Sequence, residues 1–135
     1  MPRFGKPGER IGYTVYPHPD QAPPLVLVHG FTASSASFAA NIPALSEHFT
    51  VITVDLLGHG ESDAPQDAAP YDAGPAIERI LGLLDRLGHD RVLLGTSGWS
   101  FADWVGPFYP PGMGSGRFLS YYASQFNSVE INATY

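Results

Sequence analysis

Thr50–Gly60, TVITVDLLGHG, is the stretch on which the fold turns. It reads as a buried strand that runs into a loop carrying Gly58 and Gly60. A second run, Leu25–Gly30 (LVLVHG), is continuously apolar over strand length, as in a strand covered on both faces. Between them, Phe38, Ile42, Leu45 and Phe49 recur at helical spacing and predict a helix over Ser34–Phe49, with Pro43 marking a late start or a kink. Upstream, Ile11–Pro17 (IGYTVYP) alternates as a strand and HPDQAPP is a Pro-rich turn. Downstream, Ala76–Leu87 has Ile77, Ile80, Leu81, Leu84 and Leu87 on one helical face and stops at Gly88. Arg91–Gly95 (RVLLG) is the third apolar strand. Strand and helix alternate, which predicts an α/β fold: a shortened doubly wound, mostly parallel sheet.

The texture changes after Gly95. WSFADWVGPFYPPGMGSG is aromatic and rich in Gly and Pro. Arg117–Phe126 can form a short helix, and Ser128–Tyr135 (SVEINATY) alternates as a strand. At 135 residues the chain is most economically one domain, with residues 1–95 and 96–135 as its two parts. Hydrophobic residues make up 44% and charged residues 15%, a globular profile. The net charge of -6 argues against nucleic acid or an anionic membrane as a partner. The absence of cysteine excludes disulfides and thiolate metal sites, and the start, MPRFGKPGER, lacks the apolar core of a signal peptide. The expected location is cytoplasmic.

In open α/β sheets the ligand sits beyond the carboxyl ends of the strands. That rule sorts the histidines. His48 and His89 precede strands and belong to the opposite pole; His18 lies in a solvated turn. His29 and His59 follow central strands and face the functional edge, together with Asp55, Glu61, Asp63 and Ser97. The acidic loop Glu61–Asp72 is a solvated connection that stands where a lid would. Two imidazoles and a carboxylate, His29, His59 and Asp55, would make a zinc site with an open position for water if they converged, although no H-x-H or H-E-x-x-H spacing is present.

The pieces LVLVHGFTASSASF, VITVDLLGHGESDAP and the helix before RVLLG, in this order and spacing, resemble the N-terminal half of an α/β-hydrolase over residues 11 to about 95. The resemblance implies that the H-G-F turn helps to form an oxyanion hole and that Gly95, Thr96 and Ser97 open the nucleophile elbow. Ser97 is then the candidate nucleophile, with the Phe31 and Gly98 amides as oxyanion donors. His59 or His29 is the candidate base, since no histidine follows His89. Trp99 departs from the pattern, standing where the last elbow glycine belongs. Residues 95–135, through GTSGWSFADWVGPFYPPG and FLSYYASQFNSVEINATY, resemble the start of the YecE-like family, which is TIM-barrel-like and of unknown function. The chain thus resembles a fusion of two truncated families, in which a strand-helix-strand fragment completes the sheet. The rings of Trp99, Phe101, Trp104, Phe108 and Tyr109 would form a core, an interface or the wall of an apolar pocket. Glu130 and Asn132 share one face of the last strand.

These readings imply a small hydrolase cleaving an ester-type bond, a carboxylic ester or phosphotriester, in a small apolar substrate. No cofactor is expected. A metal-assisted hydrolase using zinc at His29, Asp55 and His59 is one alternative; a non-catalytic, self-associating chimera is another. An unprotected last strand would template pairing with another chain, so a homodimer or swapped homo-oligomer through the C-terminal edge is expected.

Overall fold

The computed structural model describes residues 1–30, 32–93, 95–97, 102–126 and 128–130, with segments 95–97 and 128–130 described by backbone alone. They form two compact units, Met1–Val92 and Leu93–Tyr135. The first unit contains strands β1 (Arg3–Phe4), β2 (Ile11–Tyr16), β3 (Pro24–Val28) and β4 (Thr50–Asp55), with helices α1 (Ile42–Ser46) and α2 (Ala73–Arg86). The sheet order is β1-β2-β4-β3.

β4 is the spine of this sheet: all six of its residues are buried. Ile52 and Val54 point to one face, where they pack with Ile11, Leu57, Leu83 and Leu84. Thr53 and Asp55, both about 1% exposed, take the other face by the two-residue alternation of a strand. Helix α2 supplies Leu83 and Leu84 to the first face. It begins three residues before the expected Ala76, and its exposed stripe carries Ile77 and Leu81.

The α/β architecture stands, with a mixed rather than mostly parallel sheet. β3 and β4 pair in parallel, in register from Pro24 opposite Thr50 to Val28 opposite Val54. β2 pairs antiparallel with β4, and β1 antiparallel with β2. The cause is loop length. Parallel neighbours need a crossover of a dozen or more residues. Residues 17–23 provide a short helix-free connection, so β3 runs opposite to β2.

The helix expected over Ser34–Phe49 is broken into a 3₁₀ turn, Ser35–Phe38, and the short α1. Pro43 stands in the first turn of α1, where its missing N–H costs nothing. Phe38, Ile42, Leu45 and Phe49 remain half-buried, so the periodicity sorted the faces correctly although the helix is discontinuous.

In the second unit, β5 (Gly95–Ser97) and β6 (Ser128–Glu130) pair in parallel as a two-stranded sheet, with α3 (Phe118–Gln125) between them in sequence. The strand-helix-strand order holds, but β5 and β6 pair with each other and not with β1–β4, so the fragment does not complete the first sheet as expected, and the third strand starts at Gly95 rather than Arg91. The rings that could have lined a pocket form a core: Tyr109, Phe118 and Tyr122 are buried, with Trp104 and Phe108 packed around them. Tyr109 and Phe118 stack with centroids 4.1 Å apart. Trp99, Phe101, Asn132 and the remainder of the expected last strand, whose edge was to mediate self-association, lie outside the described residues. Among those described, no helix is long and apolar enough to cross a membrane.

The burial pattern predicts a contrast in chemical denaturation. Ile52→Ala, fully enclosed, costs about 2–5 kcal/mol. Leu81→Ala, on the exposed stripe, stays within about 0.5 kcal/mol.

Candidate functional site

Two of the strand ends that sequence reasoning selected, those of β3 and β4, do meet. β3 hands the chain to His29, and β4 ends at Asp55 and leads to His59. His29 is 5% exposed, and its ring lies 4.9 Å from that of His59. The opposite pole collects His18 and His48. There His18 accepts the Asp20 amide and its own amide donates to Thr50 Oγ1.

Asp55 is the organising group. Its Oδ1 accepts the backbone N–H of Ser35 at 2.6 Å, and its Oδ2 accepts that of Glu61 at 3.0 Å. One buried carboxylate thus ties the segment after β3 to the segment after β4. Burial pushes its carboxyl up, but the Glu61 and Ser35 amides outweigh this and hold it below the ordinary range. The approach is close enough that Gly60, at φ +47°, could carry no side chain: a Cβ there would collide with the carboxylate. Ser62 Oγ donates to the Asp55 carbonyl at 2.6 Å and accepts the Gly12 amide at 2.8 Å, which fastens the same loop to β2.

His29 has no nitrogen to spare. Its Nε2 accepts the Leu56 amide at 3.0 Å, so the neutral ring carries its proton on Nδ1 and donates it to the Gly30 carbonyl at 2.8 Å. Its 3.9 Å separation from Asp55 is therefore neither a hydrogen bond nor an ion pair. This removes His29 as a base and as a metal ligand. Among the described residues no three His, Asp or Glu groups could hold a metal ion, and the convergence of His29, Asp55 and His59 on zinc is not realised. The three side chains gather as anchors of backbone. His59 Nδ1 lies 2.9 Å from the Leu57 carbonyl and donates to it.

Ser97 closes β5, its backbone opposite Glu130. The candidate oxyanion donors Phe31 and Gly98 lie outside the described residues. Asp63, placed at this edge by sequence, is held by arginines. Arg10 donates to it through Nε at 3.0 Å and through its backbone amide at 3.0 Å, and Arg3 adds a third contact at 3.0 Å. The Arg10 hydrogen bonds draw its carboxyl down to about 2. Sequence reasoning missed Ser35, Ser62 and Arg10, because each acts over 20 to 53 residues and all three contacts use a backbone amide.

Two outcomes follow. Asp55→Asn sets an amide N–H against a backbone N–H and lowers the unfolding free energy by about 1–3 kcal/mol in urea. Asp63, with an ordinary value of 3.8, binds its proton less readily folded than unfolded. Its stabilisation is present above about pH 4 and is lost as pH falls toward 2. Acid unfolding curves of Asp63→Asn should be flatter across that window than those of the parent.

The chain matches the family model described as alpha/beta hydrolase fold over residues 23–98. Residues 93–135 match a model described as a protein of unknown function, DUF72. The soluble epoxide hydrolase of Corynebacterium sp. strain C12 is 41% identical over 69 residues, covering 51% of this chain and 23% of that protein. The 2-(acetamidomethylene)succinate hydrolase of Mesorhizobium japonicum is 38% identical over 72 residues, 53% of this chain and 25% of that one. Among solved structures, the enol-lactonase from Burkholderia xenovorans LB400 aligns with a TM-score of 0.63 at 30% identity, over 72% of this chain and 37% of that one. Epoxide hydrolase A from Mycobacterium thermoresistibile gives 0.62 at 28%, over 70% and 30%. The chain spans about a quarter of the length of these curated relatives. A family model covering more than half of the sequence agrees with the strands and loops it falls on, and the chain belongs to the α/β-hydrolase family.

Proposed function

We propose that the chain carries hydrolytic chemistry on an ester-type bond of a small, uncharged substrate, with Ser97 as nucleophile and His59 as base. The observation that carries this reading is the double tie between the segments after β3 and β4. Asp55 joins Ser35 to Glu61, and His29 joins Gly30 to Leu56. The tie anchors His29 and Gly30 at the strand ends, directly before Phe31, whose amide is the first oxyanion donor in this reading. The Gly98 amide is the second donor in this reading.

The relatives named as epoxide hydrolases and a lactonase leave the substrate class to be argued from the nucleophile. A serine that opened an epoxide would be left as an ether, which water does not readily cleave. A serine that attacks an acyl carbon is left as an ester, which water hydrolyses to regenerate the hydroxyl. Ser97 therefore favours an ester or lactone over an epoxide. Phosphotriesters remain within the same reading, since the phosphoryl-serine bond can also be hydrolysed.

The test is steady-state hydrolysis of aryl esters and aryl phosphotriesters by the purified chain. Ser97→Ala should bring kcat/KM down to the residual catalysis of oxyanion donors and binding alone, and His59→Ala should lower it about 10²–10⁴-fold. His29→Ala should cost about 1–3 kcal/mol of stability through the orphaned Leu56 amide and leave no specific pH signature. A Ser97→Ala variant as active as the parent would remove the mechanism.

A further inference from the structure

We propose that the pocket between helix α2 and the loop after β4 is a binding site for a small uncharged molecule of single-ring size. It shares the His59 ring with the hydrolytic reading, but occupancy needs neither Ser97 nor turnover.

The cavity measures about 160 Å³ and lies wholly within the first unit. Ile11 and Leu57, both buried, line it together with Leu56. Ala76 and Arg79 of α2 form one wall, and Tyr71 stands across from them on the loop that precedes α2.

The polar groups on this lining are turned to other work. The Arg79 guanidinium donates to the Pro70 carbonyl and to Glu9 Oε2, each at 2.8 Å, so its charge is already compensated. The Tyr71 hydroxyl donates to the Pro65 carbonyl at 2.9 Å. His59 Nδ1 is spent on the Leu57 carbonyl. What the cavity offers a guest is carbon. A charged guest would lose its hydration with no partner in return, whereas a dry apolar cavity of about 150 Å³ accommodates benzene.

Tyr71 gives the site its shape. The residue is 43% exposed. Its hydroxyl bond fixes one end, and its ring lies over Gly58, where φ is +76° and a Cβ would come within 3.2 Å of the ring. Gly58 thus leaves room for the Tyr71 ring to line the hollow. The guest would touch the Tyr71 ring, α2 and the His59 ring, which itself neighbours His29 at the rim.

The experiment titrates the full chain with toluene and with benzoate, reading the amide resonances of Tyr71 and Ala76 and the Ala76 methyl together with the thermal midpoint. Toluene should bind saturably, shift both sets of resonances and raise the midpoint; benzoate should bind at least tenfold more weakly. Ala76→Leu and Ala76→Met, each tested for retained circular dichroism, fill the hollow and should abolish the toluene response. Ser97→Ala should leave the toluene dissociation constant unchanged, which separates this site from the esterase reading. Absence of saturable binding up to the solubility of toluene would overturn the proposal. So would a folded Ala76 variant that binds within twofold of the parent.

Discussion

A buried carboxylate that accepts two backbone amides is the constraint from which the first unit is built. Asp55 stands at the end of the most enclosed strand, where an ionised group is expensive unless hydrogen-bonded. Ser35 and Glu61 supply the compensation from opposite directions in the sequence. Because the carboxylate must be satisfied, the loops on either side of β4 have little freedom. Gly60 must be glycine, and the Ser62 hydroxyl falls where it can bridge Asp55 to Gly12. His29 repeats the logic one layer away, with an imidazole in place of a carboxylate.

This explains why a rim lined with ionisable groups is not automatically a reactive centre. Of the carboxylates and imidazoles at the strand ends, Asp55, Asp63 and His29 are consumed in holding backbone or arginine. Their work is to fix where amides and loops stand. His59 is tied in the same way, through its Nδ1 to the Leu57 carbonyl, and its ring lies 4.9 Å from that of His29.

The legible part of the fold was the part governed by local pattern. β4 and α2 were readable because burial on two faces, or on one helical stripe, leaves a periodic trace in the residues themselves. The rim membership of His29, Asp55 and His59 followed from strand direction alone. Their roles did not, because a backbone N–H carries no residue identity: nothing in the letter at Ser35 or Glu61 announces that its amide will be claimed. The two-residue β1 was missed for a related reason, since Arg3 and Phe4 are too few to display alternation. The helix over Ser34–Phe49 was drawn too long because its apolar spacing persists through a break at the residues before Pro43.

The polar ties of the first unit share a feature with kinetic consequences. Arg10 reaches Asp63 across 53 positions, Arg3 reaches Asp63 across 60, and Arg79 reaches Glu9 across 70. Each can form only after a long loop has closed, and closure entropy is lost before the bond returns anything. Loop closure of this length favours a collapse led by β3, β4 and α2, with the amino-terminal strands arriving late to clasp an assembly already in place. Until they do, the flank of β4 that β2 will cover is open, and the half-assembled sheet is at its most adhesive.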